Sequence, residues 1–192
     1  MLKKDNFRIY LRALEVNDSN STFKWRQDPV YKQGVVSTSR FISIETEKRW
    51  MERIIQNHEQ GKEIRLAVVL KDNNAMVGMM YLTNIDYING TATVGSLVGV
   101  NENRGKGYIS EARYLLFEYA FTQLNLQRIS ATILESNINS IKSVEKFGYV
   151  KEGILRNAVF KDGKYQNLIA YSMLKEEFMQ KYNDGNNSWQ IK

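Results

Sequence analysis

The chain has 192 residues, 43% of them hydrophobic, which suffices for one domain with a sizeable core, and no Pro-, Gly- or Ser-rich stretch divides it. It contains no cysteine, which excludes disulfides, thiolate metal sites and an acyl-cysteine intermediate; with no apolar run of about 18 residues and no signal-peptide core after Met1, a cytoplasmic protein is expected. Its 27 basic and 21 acidic residues leave a formal charge of +6, but the lysines and arginines are dispersed with no nucleic-acid motif beside them, so they read as solvated faces that also attract an anionic ligand.

In chain order, Phe7 to Leu14 alternates apolar and polar residues and is expected to be a strand, closed by Asn17-Asp18-Ser19. Thr22 to Gly61 is mostly helical in pattern, interrupted at Pro29, with Trp50, Ile54 and Ile55 at turn spacing. Ile64–Leu70 and Met76–Leu82 read as strands around the turn Asp72-Asn73-Asn74, and Asn89-Gly90 signals a hairpin into a third strand from Thr91 to Val100. These three strands are expected to pair antiparallel.

Val98 to Ala112 then runs from a strand through a glycine loop into an amphipathic helix, whose apolar face is Ile109, Ala112, Leu116, Ala120 and Leu124. Gly105 and Gly107 permit successive amides to converge on one point, and the helix adds its positive end, so a phosphate-bearing ligand is expected. A nucleotide P-loop is excluded because Gly107, not Ser or Thr, follows Gly105-Lys106. The dinucleotide fingerprint fits poorly, because Ser110 stands where its third glycine belongs and the loop follows strands that read as antiparallel.

Arg128–Leu134 reads as a short buried strand, and Ser136 or Asn137 can cap a helix that ends at Gly148. Gly153 to Leu174 holds two strands around the Asp-Gly turn of Lys161-Asp162-Gly163-Lys164. A single domain over residues 1–182 with a polar tail at 183–192 is expected. The only histidine, His58, lies at a helix end and reads as a solvated residue rather than a catalyst.

Glu102-Asn-Arg-Gly105-Lys-Gly107 resembles the Gln/Arg-x-x-Gly-x-Gly/Ala loop of the GCN5-related N-acetyltransferases. Asn137-Ile-Asn-Ser140 with Glu145-Lys146-Phe-Gly148-Tyr149 resembles that superfamily's second signature. Leu11-Arg-Ala-Leu14 and Trp25-Arg-Gln-Asp-Pro29 are similar to the branch that acetylates ribosomal-protein N-termini. The resemblance implies an α+β fold with a mixed, mostly antiparallel sheet of about seven strands, splayed between the fourth and fifth and flanked by helices. It implies acetyl-CoA as co-substrate, no metal, and transfer to a primary amine without a covalent enzyme intermediate.

By that resemblance, Val98, Gly99 and Val100 meet the pantetheine, and Arg104, Gly105, Lys106, Gly107, Tyr108 and Ser110 surround the pyrophosphate. Trp25, Arg26 and Trp50 line the acceptor pocket. The thioester carbonyl meets a backbone N–H near Val98, at a bulge that Gly95 and Gly99 would allow. Many relatives carry a tyrosine acid where this chain has Val144, so Ser140 becomes the candidate hydroxyl, with Asn137 orienting the thioester end or a water. Either residue could equally be a helix cap. Glu111 is a candidate base, or a structural partner of the loop. The acceptor is expected to be a protein N-terminus, with amino-sugar nucleotides and polyamines as alternatives. A non-catalytic acyl-CoA-binding module is the reading from another class, and a homodimer through the late strands is plausible.

Overall fold

In a computed structural model, residues 1–36, 41–99 and 101–183 are described. Val100 and the polar tail beyond Asn183 lie outside them. The elements are β1 (Leu2–Lys3), β2 (Ile9–Ala13), α1 (Ser19–Gln27), α2 (Pro29–Gly34), α3 (Ile44–Glu59), β3 (Ile64–Leu70), β4 (Met76–Asp86), β5 (Thr91–Val98), α4 (Tyr108–Thr122), β6 (Arg128–Leu134), α5 (Ile138–Phe147), β7 (Val150–Lys161), β8 (Lys164–Leu174) and α6 (Lys175–Asn183). No helix among the described residues is long and apolar enough to cross a membrane.

The strands form one sheet in the order β1-β2-β3-β4-β5-β6-β8-β7, and every pair is antiparallel except β5 with β6. The two-residue β1 is the strand that periodicity misses, because it is too short to show any. Counted without it, the parallel pair is the fourth and fifth strands. That pair is short: Thr91, Ala92 and Thr93 match Arg128, Ile129 and Ser130, after which no β5–β6 register continues among the described residues.

The period-2 alternation of β3 sends its side chains into two layers. Leu66, Val68 and Leu70 join the main core with α4, while Ala67 and Val69 pack with Met51 and Ile54 of α3. Because both faces are covered, β3 reads as a continuous apolar run. The main core centres on Phe117, whose ring lies 5.6 Å from those of Phe121 and Phe147 and 5.7 Å from Tyr149. The β7–β8 hairpin turns on Asp162 and Gly163, at φ 51° and 78°, the paired positive values of a type I′ turn. Strand β7 forms one edge of the sheet and leaves Ile154, Leu155 and Phe160 exposed.

Among the described residues no bulge lies near Val98, where one was expected. Strands β4 and β5 stay in register from Gly78↔Val98 to Thr83↔Thr93, and the irregularity falls between Thr83 and Asp86. The two glycines instead make room for rings. A Cβ on Gly95 would lie 2.2 Å from the Tyr81 ring, and one on Gly99 would lie 2.5 Å from the Trp25 indole.

Candidate active site

The glycine loop is built as an anion cradle. Gly105 and Gly107 adopt φ of 74° and 83°, where a side chain would be strained, and Gly107 is the N-cap of α4 with no side chain capping the helix. The Ser110 and Glu111 amides return to the Gly107 carbonyl at 2.9 and 3.2 Å, so the donors ahead of them have no intrahelical acceptor. A Cβ on Gly105 would find nothing within 4 Å, so the ground in front of the loop is open. These features fit the pyrophosphate of coenzyme A.

Two arginines hold the loop. Arg8, just before β2, donates through its backbone N–H and Nε to the Glu111 carboxylate at 2.8 and 2.7 Å, and through a terminal nitrogen to the Lys106 carbonyl at 2.8 Å. Its guanidinium lies 4.8 Å over the Tyr108 ring. Arg104 donates to Asp28 at 3.1 Å and to the Gly99 carbonyl at 3.2 Å. Asp28 also caps α2 by accepting the Val30 N–H at 2.8 Å, so one carboxylate ties the loop to the start of that helix.

Past Thr93 the strands β5 and β6 part, and the gap opens into a cleft of about 430 Å³. Thr93 to Leu97 line one wall and Ala131 to Leu134 another, so the β5 edge facing away from β4 offers backbone groups to an extended ligand. A third wall carries a stack of cations and rings. The Arg26 guanidinium lies 4.7 Å over Trp50, and that of Arg65 lies 4.4 Å over Tyr81. Arg26 Nε donates to both Glu47 oxygens, at 2.9 and 2.8 Å, and Arg65 Nε to Glu63 at 2.6 Å. Burial raises the pKa of Tyr31 and Tyr81, which keeps both phenols neutral donors.

The end of α2 closes this side. Lys161, at the tip of β7, donates to the carbonyls of Lys32, Gln33 and Val35, and Asn137 Nδ2 donates to the Gly34 carbonyl at 3.1 Å.

The sequence-derived candidates separate into groups. Arg26, Trp50, Asn137 and Ser140 line the cleft together. Asn137 caps α5, its Oδ1 accepting the Ser140 N–H at 3.2 Å, so both ends of its carboxamide already have protein partners. Trp25 is not among the lining residues; it is buried against Gly99, a core position rather than an acceptor contact. Glu111 is also outside the lining, engaged by Arg8. His58 is held on β3, its Nδ1 accepting the Arg65 N–H at 3.3 Å, rather than simply solvated. Sequence reasoning missed Arg8, Tyr31, Arg65, Tyr81, Arg113 and Lys161.

A sheet splayed at its parallel pair, with a helix that begins uncapped at a glycine loop and reaches the gap through Arg113, defines a coenzyme-A-dependent acyltransferase. Residues 8–150 match the family described as acetyltransferase (GNAT) domain. The chain is 30% identical over 171 residues to an uncharacterised N-acetyltransferase, p20, of Bacillus licheniformis, covering 89% of this chain and 95% of that protein. Its structure resembles a spermidine N-acetyltransferase of Vibrio cholerae solved with CoA and spermine, with a TM-score of 0.80, 23% identity and coverage of 90% and 98%. It also resembles a ribosomal-protein-S5-alanine acetyltransferase of Vibrio fischeri, with a TM-score of 0.77, 21% identity and coverage of 91% and 97%. The chain belongs to the GNAT acetyltransferase family and is an acetyl-CoA-dependent N-acetyltransferase.

Proposed function

We propose that this enzyme transfers the acetyl group of acetyl-CoA directly to the α-amine of a protein N-terminus entering the cleft between α2 and β5. The observation that carries this reading is the charge of the cleft. Its charged lining residues, among those described, are Arg26, Arg65 and Arg113; Glu47 and Glu63, which pair with the first two, lie outside the lining, and no Asp or Glu is part of it. A polyamine carries several positive charges and needs carboxylates to replace its lost hydration. A peptide end carries one amine, which must be neutral to attack, followed by polar backbone that Tyr31, Tyr81 and the β5 edge can bond. The likeness to the spermidine enzyme, at 23% identity, supports the fold alone.

A second reading keeps the same reaction with an amino-sugar nucleotide, because the same arginines suit a diphosphate. Incubation with acetyl-CoA and, separately, N-terminal peptides, amino-sugar nucleotides and polyamines, followed by product masses, tests both. Acetylation of polyamines alone would sink the proposal. Binding of acetyl-CoA with no product from any class would favour a non-catalytic module.

In the proposed reaction the backbone of Val94 to Gly99 aligns the pantetheine, and the first turn of α4 with Lys106 takes the pyrophosphate. The neutral amine attacks the thioester carbon, the C–S bond breaks, and the Ser140 hydroxyl relays the proton from the acylated nitrogen toward the sulfur. Asn137 is a positioning residue that fixes the first turn of α5 against α2. Glu111 has the same standing, holding the loop through Arg8. Glu111→Gln is accordingly expected to lower kcat less than about tenfold and to cost a few degrees of Tm, whereas loss of a general base costs roughly 10²–10⁴. Initial rates and thermal melts distinguish the two. The exposed apolar edge of β7 supports a homodimer, and a light-scattering mass equal to one chain would remove that reading.

A further inference from the structure

We propose that Arg113 and the hydroxyl of Tyr149 form a corner of the cleft that stabilises the thiolate of coenzyme A as the thioester breaks. This rests on the acetyl-transfer reading above and adds Arg113, which neither the glycine loop nor the second signature contains, and a role for Tyr149, which ends the second signature.

The two side chains are a buried cation that no described carboxylate balances and a buried hydroxyl with no described partner. Arg113, on the second turn of α4, is 5% exposed, lines the cleft, and among the described residues has no carboxylate within ion-pair distance. Its hydrogen bonds go to the Oγ and carbonyl of Ser143, at 3.3 and 3.5 Å, and it lies 5.1 Å over Phe147 and 5.6 Å over Tyr149. Tyr149 is 6% exposed, lines the same cleft, and among the described residues its hydroxyl has no hydrogen-bond partner. Folded proteins rarely leave such groups unsatisfied, and a cation beside an unpartnered O–H is a site for an anion.

Their place in the fold says which anion. Ser140 and Val144 are one turn apart on α5 and both line the cleft, and Ser143 between them holds Arg113. Val144 offers no donor. An alcohol is a weaker acid than a thiol, so a relay through Ser140 delivers its proton late. As the C–N bond forms, the electron pair of the C–S bond passes to sulfur, and the ammonium proton follows through Ser140 or water. Arg113 supplies charge and Tyr149 a hydrogen bond to that sulfur in the interval. Burial raises the pKa of Tyr149, so the phenol keeps its proton and acts as a donor, not as an acid.

The test titrates the thiol of coenzyme A bound to the enzyme, followed by thiolate absorbance, in the wild type and in Tyr149→Phe, with kcat and Tm measured alongside. The expected result is a bound thiol more acidic than the free one, a return toward the free value in the variant, and about a tenfold loss of kcat with Tm unchanged or raised. The last follows because the substitution removes only an unpartnered buried hydroxyl. Arg113→Lys, which keeps charge but loses the planar fork, is expected to fall between the two. A bound thiol titrating like free coenzyme A, or a Tyr149→Phe enzyme with unchanged titration and kcat, overturns the proposal while leaving the acetyl-transfer reading intact. Failure of coenzyme A to bind by calorimetry overturns both.

Discussion

Gly107→Val is expected to weaken acetyl-CoA binding by about a hundredfold while the protein still folds. Gly107 sits at φ 83° and ψ 0°, and a β-branched residue there costs about 1–3 kcal/mol of backbone strain or forces the loop into another conformation. Either outcome turns away the first-turn amides, whose charge-assisted bonds to phosphate contribute about 1.5–3 kcal/mol each. The loss of about 3 kcal/mol in binding corresponds to that hundredfold. The strain alone is a minor part of a typical stability of 5–15 kcal/mol, so circular dichroism should remain native. Calorimetry with acetyl-CoA checks the prediction. Unaltered affinity would mean that the phosphates do not lie on this loop.

Trp25→Ala should do the opposite, damaging stability far more than acceptor recognition. Trp25 is 4% exposed, and its indole fills the space that the missing Cβ of Gly99 leaves. Truncating a buried aromatic to alanine costs about 3–5 kcal/mol through lost burial and the remaining cavity. For a chain of this size that lowers Tm by roughly 6–20 °C. The acceptor KM, measured well below the new melting point, should change less than about threefold. If Trp25 instead binds the acceptor, KM rises strongly and Tm barely moves. Because Gly99 precedes the phosphate loop, a small rise in the acetyl-CoA KM is also expected.

How far the chain could be read in advance depended on whether its signals were local. Ile64–Leu70 and Arg128–Leu134 match β3 and β6 end to end, because a largely apolar run in the first and an apolar-polar alternation in the second stop at polar neighbours and so have sharp edges. The glycine loop was equally legible, since its function resides in backbone conformations that only particular residues permit. Strand β4 runs on to Asp86, beyond its apolar stretch, because pairing with β5 carries Thr83 into the ladder. The parts that could not be read are those assembled from distant residues. Arg8 and Glu111 are 103 positions apart, and nothing near either one announces the pair. The acceptor wall likewise draws Arg26, Trp50, Arg65 and Tyr81 from three elements and the end of a fourth. The tyrosine missing at Val144 was visible in the sequence, but the buried Arg113 and Tyr149 beside it emerged only once α4, α5 and β7 were packed.

The central claim is that a cleft lined by arginines, with no carboxylate among its described lining residues, selects a peptide amine over a polycation. It is tested most directly by letting a short N-terminal peptide and spermidine compete for acetylation in one reaction and measuring the ratio of their kcat/KM values by product mass. A ratio of at least about a hundred in favour of the peptide α-amine is the expected result, equivalent to about 2.7 kcal/mol of discrimination. A ratio near one, or one in favour of spermidine, would contradict it.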